Sequence, residues 1–162
     1  MKLLAFALLF ALAAAAPARA ADAPQTADVL GKLHRSNLKE IAMGKLARAR
    51  GASKETKAYG KTLVDDHAAA DKKVGKLAKD EGIDLATTTP AAEHEMDLGK
   101  GAAFDAAFAR EMLDDHERDL ADAKAARDGT SDPKLKALLD DMIPVLEKHR
   151  DTAKRLTEQV KS

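Results

Sequence analysis

Cysteine and tryptophan are absent from this sequence, and one tyrosine and four phenylalanines are its only aromatic residues. Without cysteine there is no disulfide framework and no thiol nucleophile, so packing alone must hold the fold. With so few large rings, abundant Ala, Leu, Lys, Asp and Glu point to helices with thin, alanine-rich interfaces. Net charge is missing as well: 27 basic residues face 27 acidic ones, well mixed. A nucleic-acid partner would need a concentrated basic face, so none is expected. The sequence contains no Gly-x-Ser-x-Gly elbow, no Walker loop and no Gly-x-Gly-x-x-Gly turn, which removes the common hydrolase and nucleotide-binding chemistries. No segment shows the alternation of a strand.

Long hydrophobic runs are scarce too. The one candidate, Leu3 to Ala16, is shorter than the roughly 20 residues a spanning helix needs. It follows Lys2 and ends at Pro17, and Ala18-Arg19-Ala20 supplies the small-x-small pattern of a processing site. Residues 1–20 therefore read as a signal peptide cleaved after Ala20, with a retained anchor as the alternative. No cysteine follows the run, so a lipoprotein anchor is excluded. Removing 20 of 162 residues leaves 142, with 25 basic and 27 acidic side chains once Lys2 and Arg19 are gone. That is a normal length for one domain with its own core. The expected product is an exported protein with no transmembrane segment in the mature chain, periplasmic or outer-membrane associated.

Residues 21–26 read as a short disordered lead-in and 27–160 as a single all-α domain. The spacing predicts a helix from Ala27 to Arg50, stopped by Gly51, and a second from the Ser53 cap to Glu81, stopped by Gly82. Thr89-Pro90 opens a short helix to Lys100. A third long helix runs from Gly101 to Asp128, and Asp132-Pro133 begins a fourth that should kink at Pro144. Apolar stripes at 4-3 spacing mark near-parallel bundle packing. They are Leu135, Leu139, Met142, Leu146, His149, Ala153, Leu156 and Val160 in the fourth helix. In the second they are Gly60, Leu63, His67, Ala70, Val74 and Leu77, and in the third Ala106, Ala109, Leu113, His116, Leu120 and Ala123. The prediction is a four-helix bundle with tight first and last hairpins and a long second connection. That connection, which contains the short helix, is expected to cross back along the bundle in the ferritin-like manner, with an up-down-up-down bundle and a decorated loop as the alternative.

Three of those stripes contain a histidine: His67, His116 and His149. The first helix contributes Glu40, on a narrow face with Leu33, Asn37, Gly44 and Ala47. At 1.5 Å per residue, all four fall within roughly one helical turn of mid-bundle. Three imidazoles and a carboxylate from four helices are a candidate ligand set for one Zn, Cu, Ni or Fe ion. Asp66, Asp71 and Asp115 stand near enough in sequence to accept from the other ring nitrogens. The competing reading makes each histidine a core residue bonded to a neighbouring carboxylate or carbonyl. His34 and His94 lie off this level and read as surface residues. Two similar runs, Leu63-Val64-Asp65-Asp66-His67 and Met112-Leu113-Asp114-Asp115-His116, put adjacent aspartates about 100° apart on a helix, so they read as solvated faces.

The run Asn37 to Ala47, the Leu63 to His67 run, Gly101-Ala102-Ala103-Phe104-Asp105 ahead of Met112 to His116, and Ile143-Pro144 ahead of His149 carry a family likeness. Together they resemble the ferritin-like family of exported bacterial proteins labelled as a domain of unknown function, often called outer-membrane or periplasmic proteins. The resemblance covers residues 26–158 and implies a ferritin-like fold and an envelope location, with no activity attached. A di-iron centre needs Glu-x-x-His pairs, whereas Val64, Leu113 and Leu146 precede the three histidines by three residues. The expected function is a non-enzymatic binding or stress-protection module with an envelope protein as partner. A mononuclear metal protein is the alternative, and a ferritin-like oxidase a weaker one.

Overall fold

A computed structural model describes residues 19–85 and 98–160, with the side chains of the first helix from Gln25 onward. Four helices account for nearly all of them: α1 (Arg19–Arg50), α2 (Lys54–Asp80), α3 (Gly101–Gly129) and α4 (Pro133–Gln159). No strand occurs among the described residues, and no helix there is long and apolar enough to cross a membrane.

Local chemistry sets the helix ends. Ser53 Oγ accepts from Thr56 N at 3.0 Å to cap α2, and Gly82, at φ +70°, turns the chain out of it. Asp132 Oδ1 accepts from Lys134 N and Leu135 N at the start of α4, where Pro133 occupies the first turn. α4 continues through Pro144. The first helix is longer than the expected Ala27 to Arg50: it begins at Arg19. Its docking explains the extension, because Thr26 is buried and its hydroxyl donates to Asp132 Oδ2 at 3.3 Å. The short helix expected from Thr89-Pro90 lies outside the described residues, apart from the non-helical stretch 98–100.

Chain direction follows from contacts at the ends. Gly51 and Gly101 form an isolated parallel bridge, and Asp105 accepts from Ala52 N at 2.9 Å and Ser53 N at 2.8 Å. The start of α3 is thereby fastened to the α1–α2 turn. At the other end Lys134 Nζ reaches Glu81 Oε1 at 2.6 Å, joining the end of α2 to the start of α4. Hence α2 and α3 run parallel to each other, and antiparallel to α1 and α4.

The apolar core falls into two halves. One, around Leu30, Val74, Leu120, Leu135 and Leu139, occupies the Thr26 end. The other, around Met43, Leu63, Phe104, Phe108, Met112 and Leu156, occupies the Gly51 end, with Tyr59 tilted against Phe108. Two details correct the sequence stripes. In α3 the buried face at this end is Phe104, Phe108 and Met112, rather than Ala106 and Leu113, because the stripe rotates to meet Tyr59 and the α1–α2 turn. In α4 Val160 is exposed, since the helix ends at Gln159 beyond the last buried turn.

α1 and α2 meet most closely. A Cβ added to Gly44 would sit 2.6 Å from the carbonyl oxygen of Gly60, and one added to Gly60 would sit 2.6 Å from that of Gly44. Only a residue without a side chain permits backbones this near.

Candidate metal centre

Each helix interrupts its apolar face at the same level, between the two core halves. α1 does so with Asn37 and Glu40, α2 with His67, α3 with His116 and α4 with His149. All five are buried, none more than 3 % exposed. A polar layer inside an apolar bundle is costly unless every donor and acceptor is matched.

The matching is incomplete in an ordered way. His116 Nδ1 lies 2.7 Å from the carbonyl oxygen of Met112, which can only accept, so Nδ1 carries the proton and Nε2 a lone pair. His149 Nε2 lies 2.9 Å from Asp66 Oδ2 and donates to that carboxylate, leaving the lone pair of the neutral ring on Nδ1. His67 Nδ1 donates to Asn37 Oδ1 at 2.9 Å, with the amide oxygen turned toward the ring, and its Nε2 keeps the lone pair. The three uncommitted nitrogens point inward. One ring nitrogen from each histidine lies within 4.8 Å of the others.

His67 Nε2 and His149 Nδ1 stand 3.3 Å apart. In two neutral rings of these tautomers, both atoms present lone pairs, and that contact is repulsive unless a cation lies between them. A proton would serve if one ring were an imidazolium, but burial opposes charge on all three. It is the main cause lowering His67 to about 2 and His116 to about 4 from 6.5, with the neighbouring histidines adding to the shift at His67. Burial also lowers His149, against the opposing pull of Asp66. A metal bonded at 2.0–2.1 Å with tetrahedral angles separates its nitrogens by about 3.3–3.4 Å. The observed spacing matches one edge of that tetrahedron.

Among the described residues, three buried side-chain atoms lack a partner: His116 Nε2, Asn37 Nδ2 and Glu40 Oε2. Each belongs to this layer. An unmatched buried group costs about 1–3 kcal/mol, a large share of the roughly 5–15 kcal/mol that stabilises a domain. Their concentration in one layer marks a place where further ligands belong.

The residues expected from sequence divide as follows. His67, His116 and His149 come together. The Glu40 carboxylate is buried on the same layer but lies outside their 4.8 Å group. Its environment holds its carboxyl well above the ordinary carboxylate range, through burial first and then the charges of Asp115 and Asp119. Asp66 contacts a histidine. Asp71 and Asp115 touch none of the three clustered histidines: Asp71 accepts from His34 Nδ1 at 2.7 Å, while Asp115 pairs with Arg118 and with Lys39 at 2.6 Å. Both point off the stripe, toward the helix flanks where basic partners stand. His34 is part-buried through its bond to Asp71, and His94 lies outside the described residues. Asn37 was visible as a polar residue on the α1 face, but its bond to His67 required knowing which helices adjoin. Tyr59 was not singled out from the sequence; its hydroxyl donates to the His149 carbonyl at 3.0 Å and its ring meets the imidazole edge-on.

A cavity of about 410 Å³ opens between α1 and the α3–α4 pair and reaches His67 and Asn37 at its inner end. A smaller one, about 140 Å³, reaches His67 and His149 past Asp66. Solvent and small solutes thus have routes toward the layer.

A family model described as "Domain of unknown function (DUF4142)" matches residues 11–156 of the chain. No curated protein and no solved structure matches it.

Proposed function

Because the chain belongs to the DUF4142 family, whose description names no activity, we propose a function from the site itself: binding of a single transition-metal ion by His67, His116 and His149. One observation carries the reading. Three buried imidazoles from three helices turn uncommitted nitrogens toward one another, and each has its second nitrogen held by an oxygen. Acceptors on the outer nitrogens are what orient ligating histidines and raise their basicity. A structural histidine cluster would instead satisfy itself with donor–acceptor pairs.

Neutral imidazoles suit Zn, Cu, Ni and Fe. Three such ligands leave a fourth tetrahedral position for water or another small ligand, as in catalytic rather than structural zinc sites. Glu40 lies on the same buried layer outside the nitrogen group, and a bound cation would favour its ionised form, which would offset part of the ion's charge. No carboxylate joins the three nitrogens among the described residues, so a carboxylate-bridged di-iron oxidase has little support. The leader-like residues 1–20 favour an exported protein, in which a metal-holding role would serve sequestration or protection of the envelope. The ferritin-like relationship remains part of this proposal.

The test is metal content and titration. The full chain is purified, stripped with chelator and titrated with Zn, Cu, Ni, Fe and the spectroscopic probe Co(II), beside His67→Ala and His116→Ala. One equivalent of bound metal, with tetrahedral Co(II) absorption lost in both variants, is expected. Failure to take up any of the five ions would return the histidines to a structural role.

A further inference from the structure

The larger cavity has a composition of its own. α3 turns Ala123, Ala125 and Ala126 toward it, where α1 and α4 present Leu, Val or Met. Short side chains on one wall leave the space that Leu33 and Leu139 fail to fill from the others. Its volume, about 410 Å³, falls within the range of small-molecule sites, roughly 300–1,000 Å³.

Its two ends differ chemically. At the inner end Asn37 is 1 % exposed, and its Nδ2 is a buried donor with no partner while its Oδ1 is held by His67. Such an amide selects an acceptor, because a bound group lacking one leaves the donor unmatched. The outer rim carries Asp28, Asp119 and Asp122 against the single cation Lys32. Carboxylates around an opening of low dielectric repel anions. Asp119 is braced by Ser36, whose hydroxyl donates to it.

We propose that this cavity binds a small, mainly apolar molecule that carries a carbonyl-type acceptor at one end and is neutral or cationic at the other. The acceptor meets Asn37 Nδ2, the apolar body lies along the alanine wall, and the outer end faces the three aspartates. Anionic amphiphiles such as fatty acids are excluded by that rim. The inference does not rest on metal binding, since His116 lines no part of the cavity and the amide donor is unmatched in the metal-free chain.

The probe is prodan, a neutral naphthyl ketone with a dimethylamino group opposite its carbonyl, whose emission shifts to the blue on leaving water. It is titrated into the chelator-stripped full chain beside 2-(dimethylamino)naphthalene, which lacks the ketone, and anionic anilinonaphthalene sulfonate. Saturable one-to-one binding of prodan is expected, at least tenfold tighter than either comparison dye. His116→Ala should leave it unchanged, separating this result from that of the metal titration. Ala126→Trp should abolish binding by filling the cavity, and Val29→Trp fills it from the α1 wall should the first variant lose its helical circular dichroism. Asp119→Asn/Asp122→Asn should admit the anionic dye. Absence of prodan binding, or binding indifferent to both tryptophans, overturns the proposal. Equal affinity for the dye without a ketone overturns the role given to Asn37.

Discussion

Replacing His116 by leucine distinguishes a ligand from a structural histidine, because the two predict opposite signs. In the metal-free chain His116 Nε2 is buried without a partner, which costs about 1–3 kcal/mol. Leucine removes that atom. The Met112 carbonyl, which accepts from His116 Nδ1, loses little, since it sits one helical turn below residue 116 within α3 and keeps its backbone donor. The edge contacts with His67 and His149 disappear, at 5.7 and 5.3 Å between ring centres, but a buried leucine contributes about 1.5–3 kcal/mol of its own. The metal-free variant should therefore be more stable than the natural chain by about 1–3 kcal/mol. For a domain of this length that raises the melting temperature by about 3–10 °C. With Zn at a hundred times its dissociation constant, the natural chain should gain about 2.7 kcal/mol, a rise of about 9 °C by the same scaling. His116→Leu should gain none. Thermal unfolding followed by circular dichroism, with chelator and with Zn, reads all four states. A metal-free variant less stable than the natural chain, with Zn raising both alike, would refute the reasoning.

Acid should destabilise the metal-free chain well above the range where carboxylates protonate. His67 and His116 have folded values below the unfolded 6.5, so the stability they confer is complete above that pH and is lost as pH falls. At pH 5 each forfeits about 2 kcal/mol relative to pH 8. Urea midpoints across that interval check it, and a flat profile would contradict it. Glu40 acts in the opposite sense: its raised value makes the fold lose stability as pH rises past the ordinary carboxylate range, so Glu40→Gln should flatten the alkaline side of the metal-free profile. Gly44→Ala should cost about 1–3 kcal/mol by forcing α1 off α2, whereas Gly75→Ala, with nothing within 4 Å of the new methyl, should stabilise by about 0.5–1 kcal/mol; equal effects in denaturant titration would refute the close-crossing argument. Asp105→Ala frees the Ala52 and Ser53 amides and should lower stability by about 2–4 kcal/mol in the same assay; retention of full stability would show that the clamp is dispensable.

Much of this arrangement is local, and local features are legible in a sequence. Ser53, Gly82 and Asp132-Pro133 placed helix ends because caps and left-handed turns depend on residues a few positions apart. His67, His116 and His149 fell on apolar stripes by periodicity alone, and their common level followed from counting residues along helices of similar length. Position along a helix is set by rise per residue, so the meeting of the three histidines did not need a known topology. Orientation around the axis and the choice of neighbour did. Asp115 is as close in sequence to His116 as Asp66 is to His67, and Asp71 stands one helical turn past His67, yet only Asp66 turns toward His149, while the others meet Lys39 and His34. The same limit hid the rotation of the α3 stripe to Phe104, Phe108 and Met112, and the tie between Thr26 and Asp132 that extends the order of α1 toward Arg19. The sequence by itself determined four helices, their stops and a polar layer at mid-bundle, because these depend on backbone propensity and spacing. Tertiary structure alone decided which ring nitrogen each oxygen holds, that the free lone pairs converge, and that Glu40 stays outside them, because hydrogen-bond geometry is fixed only when separate helices are brought into contact.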